Sequence, residues 1–584
     1  MIRIALSLTL AAALLGGCAQ LSQPARQDAA LSQPAQDMDG LINEYGQLAR
    51  QLDALVAGPD HPKRQPGQLK DLSPQALAAE NAQWQRLYDR LKAIDERGLD
   101  EQQRINLALL HYQLRDRLDS YRFQAQLMPL NSEWGFYAGL GGLKDQFRFQ
   151  QDSDFDHYLT ALAGVGRHMD QQIHWLRQGL AQGITQPKVV LQGLPDTIRA
   201  YMKEDDFLAP FDQLPEADPR RRQARTLVRD QVLPAFKRLL DFAEREYLPG
   251  ARTSIGLSQV PKGRDWYANR VRHFTTLDMT PEQVHQLGLK EVARIRTEME
   301  AIIAELGFDG SFKDFTHFLR TDPRFYAKTP QQLLEKAAWL AKEADALLPR
   351  YFGLLPRTPY GVAPVPAAIA PNYTTGRYSG PSRDDQPGYY WVNTYALDKR
   401  PLYVLPSLTL HEAVPGHHLQ ISLTREQQAL PDFRRHSYIS AFGEGWGLYA
   451  EYLGEEAGYY KTPYERFGRL TYEMWRACRL VVDTGMHWLG WSRQQAQDYM
   501  ASNTALSLHN VRTETDRYIS WPGQALSYKV GELTIKRLRR QAEQALDDDF
   551  DIRAFHDAVL ANGSVPLKVL EWQVAAYIAK ARGG

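Results

Sequence analysis

The chain has 584 residues, and its 69 basic side chains are matched by 69 acidic ones, so the formal charge is zero. That balance gives no ground for a nucleic-acid partner or for docking on an anionic membrane surface. Hydrophobic residues at 43% and aromatics at 11% are ample for a large packed core.

The first element is a targeting segment. Met1-Ile2-Arg3 is a short basic start, and the apolar run from Ile4 to Leu15 is too short to span a bilayer as a mature helix. Leu15-Gly16-Gly17-Cys18 then reads as a lipoprotein signal-peptidase site. This predicts a signal peptide over 1–17 and lipidation of Cys18, the membrane anchor. Ala19 is not aspartate, and the bacterial sorting pattern then sends the anchor to an outer membrane, facing the periplasm. With Cys18 acylated, Cys478 is the remaining thiol, so the mature chain is expected to lack an internal disulfide and to use Cys478 as a small core residue. Residues 18–39, rich in Gln, Ala, Ser and Pro, read as a flexible tether, and residues 40–584 as one helical body without an internal linker.

Helix starts repeat one punctuation, a hydroxyl cap followed by proline, at Ser73-Pro74, Thr280-Pro281, Thr329-Pro330 and Thr462-Pro463. Apolar residues then recur at helical intervals, as in Val284, Leu287, Val292, Ile295 and Met299. The pattern predicts helices near 76–96, 101–127, 155–180, 219–246, 281–305, 330–348, 463–488 and 565–581. Gly139-Leu140-Gly141-Gly142 lacks a dinucleotide fingerprint and reads as loop geometry. Residues 355–408 differ in their Pro, Gly, Tyr and Val content. Tyr389–Thr394 and Leu402–Leu405 read as short strands, either a structural hairpin or an edge along which a peptide backbone pairs.

The chemistry concentrates at His411-Glu412-Ala413-Val414-Pro415-Gly416-His417-His418. Two imidazoles and a carboxylate can hold zinc, and a glutamate next to a ligand histidine can take a proton from water. In an unbroken helix, residues six apart stand about 9 Å apart along the axis and on different faces. Zinc–nitrogen bonds of about 2.0–2.1 Å cannot bridge that gap. The helix must therefore break between His411 and His417. Pro415 cannot donate to the carbonyl of His411 and clashes with it, and Gly416 tolerates unusual backbone angles. His418 is the rival second ligand, nearly in phase with His411 but about 10 Å farther along the axis.

Glu444 and Glu451, seven apart, share a helical face. Gly443, Gly445 and Gly447 around the first suggest close approach of another backbone. Glu444 is assigned as third metal ligand and Glu451 as a partner that orients a ligand histidine, with the reverse assignment open. Downstream, Arg479, Asp483 and His487 fall at four-residue spacing. They would either line a substrate cleft, with His487 donating to an oxyanion, or form a buried polar ladder. In the segment from Arg517 to Gly531, Tyr528 is the first choice and Tyr518 the second to stabilise a tetrahedral intermediate, while Arg517 or Lys529 would hold a peptide carboxylate.

Together, the His-Glu-Ala-Val-Pro-Gly-His-His motif, the Phe-Gly-Glu-Gly-Trp-Gly-Leu-Tyr-Ala-Glu helix and the Pro-Gly-Gln-Ala-Leu-Ser-Tyr-Lys-Val-Gly segment resemble a large bacterial family of unknown function (DUF885-like), many of whose members are lipoproteins. That family is in turn similar to the helical gluzincins: carboxypeptidase Taq, thimet-type oligopeptidases and angiotensin-converting enzyme. The resemblance implies a mainly α fold of two lobes around a deep groove, with zinc on the groove floor. It aligns His411, His417 and Glu444 with the metal ligands, Glu412 with the general base, Glu451 with a second downstream glutamate, and Tyr528 near Gly531 with a late tyrosine. The departure is the inserted Pro-Gly pair. The expected activity is zinc-dependent hydrolysis of short peptides by a carboxypeptidase or oligopeptidase. Two alternatives remain: a metal-dependent amidase or esterase acting on cell-wall or other small substrates, and an inactive lipid-tethered binding protein.

Overall fold

The computed structural model describes residues 32–583 apart from 133, 368 and 382–384. The expected signal peptide, Cys18 and most of the tether lie outside the described residues.

The fold is mainly α, with one small sheet. Helix α1 (Gln33–Leu52) begins inside the stretch expected as tether. Ser32 supplies a cap the tether reading missed, accepting from the Ala35 amide at 3.3 Å, and Met38 is fully buried. With α2 (Pro74–Lys92) and α3 (Glu101–Arg122), α1 encloses a separate apolar cluster around Tyr45, Trp84, Leu87 and Leu110. The four hydroxyl–proline signals all prove to be N-caps; Thr280 and Thr462, for example, accept from amides three residues on at 3.2 Å. The Gly139–Gly142 stretch is mostly helical and not a loop: its first three residues close the helix Phe136–Gly141, and a Cβ on Gly141 would lie 2.2 Å from the Tyr201 ring.

Helix α4 (Asp152–Gln182) packs against a helical run over 219–250. That run carries two π-turns, Val228–Val232 and Ala243–Tyr247, just ahead of Pro234 and Pro249. Each proline lacks the amide that a regular helix would use there, so the backbone widens by one residue. Next come α5 (Gly263–Thr275), α6 (Pro281–Glu305) and α7 (Pro330–Asp345).

The sheet has strand order β1–β3–β2, from β1 (Tyr360–Pro364), β2 (Gly376–Ser379) and β3 (Gly388–Val392). β1 runs parallel to β3 and β2 antiparallel to it, with Tyr378 opposite Tyr390. The predicted strand over 389–394 is thus the central strand, not an edge. The predicted strand at Leu402–Leu405 is absent: Leu402–Val404 is a 3-10 turn leading into α8 (Leu405–Glu412). Pro406 in the first turn of that helix favours the helical start over a strand.

Beyond α8 lie α9 (His417–Glu426), α10 (Ser440–Glu456), α11 (Pro463–His487), α12 (Leu508–Ser520), α13 (Ser527–Leu546) and α14 (Leu567–Gly583). Every residue of α11 from Phe467 to His487 is buried, including Cys478. Glycines let its neighbours approach. A Cβ on Gly288 of α6 would lie 2.7 Å from Leu480 of α11, and one on Gly445 of α10 would lie 2.5 Å from the Gly531 backbone of α13. The glycine-rich helix is therefore a backbone-to-backbone crossing, as its composition suggests. Among the described residues no helix is long and apolar enough to cross a membrane.

Candidate metal centre

The centre is built on a broken helix. α8 ends at Glu412, and the chain turns through Ala413–Gly416, with a cis Val414–Pro415 peptide, before α9 resumes at His417. Three contacts hold the turn. The His418 amide donates to the Ala413 carbonyl at 3.1 Å, the Gln420 amide to Gly416 at 3.1 Å, and the Trp446 indole of α10 to the Pro415 carbonyl at 2.7 Å. A Cβ on Gly416 would sit 1.9 Å from the His411 carbonyl oxygen, so close approach, not a left-handed backbone, demands glycine here. The break brings the His411 and His417 rings to 4.7 Å between centres and nearly perpendicular.

Glu444 enters from α10. Its Oε2 lies 3.4 Å from His411 Nε2 and 3.3 Å from His417 Nε2. The donor atoms of the three side chains lie within 4.8 Å of one another. Two donors each about 2.0–2.2 Å from a tetrahedral ion stand roughly 3.4 Å apart, so the nitrogen–oxygen spacings fit a divalent cation. His411 Nδ1 faces Glu451 Oε1 at 2.8 Å, which leaves Nε2 toward Glu444. Arg476 reaches the same Glu451 oxygen at 3.3 Å. Gly447 makes room for the imidazole: a Cβ there would lie 2.6 Å from His411 Cε1.

The electrostatics couple the imidazoles to the carboxylates around them. Burial pushes His411 down, but hydrogen bonds to Glu444 and Glu451 outweigh it and lift the imidazole to about 10. Burial would raise Glu444, yet His417 and His411 hold its carboxyl well below the usual range. His418 is turned away. Its Nδ1 meets the Tyr378 hydroxyl at 3.0 Å, its ring packs on Tyr360, and burial lowers it to about 4. His411, His417 and Glu444 thus cluster, with Glu451 behind His411 and His418 apart from them.

Glu412 faces the same cavity, of about 440 Å³, together with His411, His417 and Glu444. Its Oε2 accepts from the Tyr378 amide of β2 at 2.7 Å. The strand beside the site is therefore the edge strand β2, not β3. Tyr528 also lines the cavity, with its ring 6.4 Å from that of His411 and its hydroxyl 3.4 Å from Arg517 Nη2. Arg517 and Arg479 line it as well.

Four expected site residues lie elsewhere. His487 has both ring nitrogens in the core, accepting from the Leu257 amide at 2.9 Å and meeting the Tyr518 carbonyl at 3.0 Å; burial lowers it to about 4. The Asp483 carboxylate accepts from the Tyr267 hydroxyl at 2.6 Å and the Gly523 amide at 3.1 Å, and burial raises it to about 7. These two form the buried ladder, while Arg479 of the same spacing reaches the cavity. Tyr518 spends its hydroxyl on Trp475, Arg479 and Glu514. Lys529 is fully buried against Glu473 at 2.7 Å, Glu532 at 2.6 Å and Glu291 at 3.3 Å. Adjacent residues on a helix point about 100° apart, so when Tyr528 faces the cavity Lys529 faces the core.

Sequence reasoning missed Arg476, Tyr438 and the Tyr378 amide. Arg476 sits three residues before Arg479 on the same face, a signal within reach. Tyr438, its ring 6.2 Å from that of His417, carries no distinguishing mark in a chain with 29 tyrosines.

The bacterial family described as "Bacterial protein of unknown function (DUF885)" matches residues 52–574. A crystal structure of a candidate lipoprotein from Colwellia psychrerythraea is 28% identical, with a TM-score of 0.84 over 94% of this chain and all of that one. A candidate lipoprotein of unknown function from Shewanella oneidensis is 19% identical, with a TM-score of 0.74 over 93% of this chain and all of that one, a likeness of fold alone. No curated protein matches the chain.

Proposed function

The chain belongs to the DUF885 family, and we propose that it is a zinc-dependent peptidase that hydrolyses short peptides in the cell envelope, anchored through Cys18 to the outer membrane and facing the periplasm. One observation carries the chemistry: His411, His417 and Glu444 converge as a ligand set while the Glu412 carboxylate opens into the same cavity. The candidate-lipoprotein description of the Colwellia neighbour supports the envelope location.

Two imidazoles and one carboxylate suit zinc. A bound zinc ion supplies Lewis acidity that acidifies water and polarises a carbonyl. The remaining work falls to the protein. Glu451 fixes the tautomer and angle of His411. Glu412, steadied by the Tyr378 amide, takes a proton from the attacking water and returns it to the leaving amine. The Tyr528 hydroxyl, beside Arg517, donates to the oxygen that gains charge. The outer edge of β2 offers backbone groups with which an extended peptide can pair.

The test joins metal content with one variant. Wild type should bind one zinc per chain and cleave members of a linear peptide pool. Glu412→Gln should keep the zinc and lose roughly 10²–10⁴-fold in rate, the usual worth of a general base. Stoichiometric zinc with no peptide cleaved, and identical behaviour in Glu412→Gln, would overturn the reading. A parallel panel of muropeptides separates it from a cell-wall amidase.

A further inference from the structure

The cavity beside the metal centre has an arginine wall that water activation does not use. Arg476, Arg479 and Arg517 line it, and they are 3%, 2% and 8% exposed. Burying a guanidinium is costly unless it is paired. Glu514 meets Arg479 at 3.0 Å and Arg517 at 3.4 Å, and Arg476 shares Glu451 with His411.

Arg479 is the most constrained of the three. Its Nε donates to the Tyr518 hydroxyl at 2.7 Å and its Nη2 to Glu514. Its Cζ lies over the Trp475 and Tyr528 rings, 4.4 and 4.1 Å from their centres. Nη1 is buried and has no partner among the described residues. A planar fork held on one edge and packed on two rings, with Nη1 unpaired, is a preorganised receptor for a carboxylate. Its position is also apt. Tyr528 separates it from His411, and the two ring contacts bound the guanidinium to roughly 10 Å from that histidine, the reach of one extended residue and its hydrogen bonds.

Resting on the peptidase reading above, we propose that the Arg476–Arg479–Arg517 wall receives the free C-terminal carboxylate of a short peptide, which makes the chain a carboxypeptidase. Water's oxygen joins the last peptide carbonyl carbon and the bond to the final residue's nitrogen breaks. That nitrogen takes the proton carried by Glu412, releasing one amino acid and a peptide shorter by one residue. A neutral C-terminus leaves the Nη1 edge unpaired and binds poorly.

The experiment compares an N-blocked tripeptide acid with its C-terminal amide on the zinc-loaded full chain, with products identified by mass. The acid should be cleaved at its last bond with kcat/KM at least 50-fold above the amide. In Glu412→Gln, calorimetry should show the acid binding at least tenfold more tightly than the amide. Arg479→Gln and, as a second variant, Arg517→Gln, each checked for retained zinc, should collapse the acid-to-amide ratio toward one. Equal cleavage of acid and amide, internal cleavage, or an unchanged ratio in both variants overturns the carboxylate subsite while leaving peptidase activity intact. No cleavage of either substrate, with Glu412→Gln indistinguishable from wild type, overturns the underlying reading instead.

Discussion

Gly416 and Glu451 illustrate how single residues shape this centre. A methyl group on Gly416 would stand 1.9 Å from a backbone oxygen of the preceding helix, and no rotamer change relieves a clash with backbone. Gly416→Ala is expected to destabilise the fold by about 1–3 kcal/mol, the usual range for overpacking. It should also weaken zinc binding by displacing His417, with urea unfolding and zinc titration as the two measurements. Glu451 acts through His411. Its carboxylate lies 2.8 Å from Nδ1, and partners of this kind typically account for 10–100-fold in metal affinity. Glu451→Gln should therefore lower zinc affinity by one to two orders of magnitude in a competition titration, with helix content unchanged. An affinity equal to wild type would show that His411 is oriented by packing alone.

Helices α10 and α13 bring Glu444 and Tyr528 to the centre, and the fit between them is glycine against glycine. A Cβ on Gly445 would meet Gly531 backbone atoms at 2.5 and 2.6 Å, and one on Gly531 would meet the Ala441 carbonyl at 2.0 Å. Larger residues must push the helices apart and carry Glu444 with them. Gly445→Val is expected to cost about 1–3 kcal/mol in urea unfolding. It should also lower zinc affinity, even though residue 445 contributes no ligand. Helix α11 shows a different principle. It is buried from Phe467 to His487, yet it carries Arg469, Glu473, Arg476, Arg479 and Asp483 along its polar side. The four charged groups other than Asp483 are paired: Arg469 with Glu473 at 2.8 Å, Glu473 with Lys529 at 2.7 Å, Arg476 with Glu451 at 3.3 Å and Arg479 with Glu514 at 3.0 Å, while Asp483 accepts from Tyr267 and Gly523. Unpaired charges in such a setting would be prohibitive, so these pairs specify how α11 sits among its neighbours.

The molecule as a whole carries buried histidines that burial keeps neutral, and this sets its response to acid. Burial lowers His487 to about 4 and His556 to about 3, against about 6.5 when unfolded. Below pH 6.5 the unfolded chain binds protons that the folded chain refuses. The stability these groups allow is complete above 6.5 and is lost as pH falls toward 4. The loss is on the order of 2 kcal/mol per group between pH 7.5 and 5. Asp483 works in the opposite sense. Burial raises it to about 7, so the contribution of its neutral form is full below the unfolded value and is lost as pH rises through 7. Urea midpoints should therefore fall between pH 7.5 and 5. His487→Asn, which keeps a donor and an acceptor for Tyr518 and Leu257, should flatten that fall. A midpoint independent of pH would show that these imidazoles are reached by water.

Local chemistry was enough to read the four hydroxyl–proline helix starts, the break at Pro415-Gly416, the clustering of His411, His417 and Glu444, and the pairing of Glu451 with His411. Capping, helical phase and the reach of a metal–ligand bond all act within a turn or two of chain, so residue spacing carries them. It did not reveal that α1 begins at Gln33, that 402–404 turns into a helix, or that His487, Asp483, Tyr518 and Lys529 belong to the core. Whether a polar residue on a helix meets a cavity or a buried counter-charge depends on which distant helix lies against that face. Arg479 and Asp483 share a spacing and have opposite surroundings. Long-range packing brought Trp475, Tyr528 and Glu514 around one of them, and Tyr267 and Gly523 around the other.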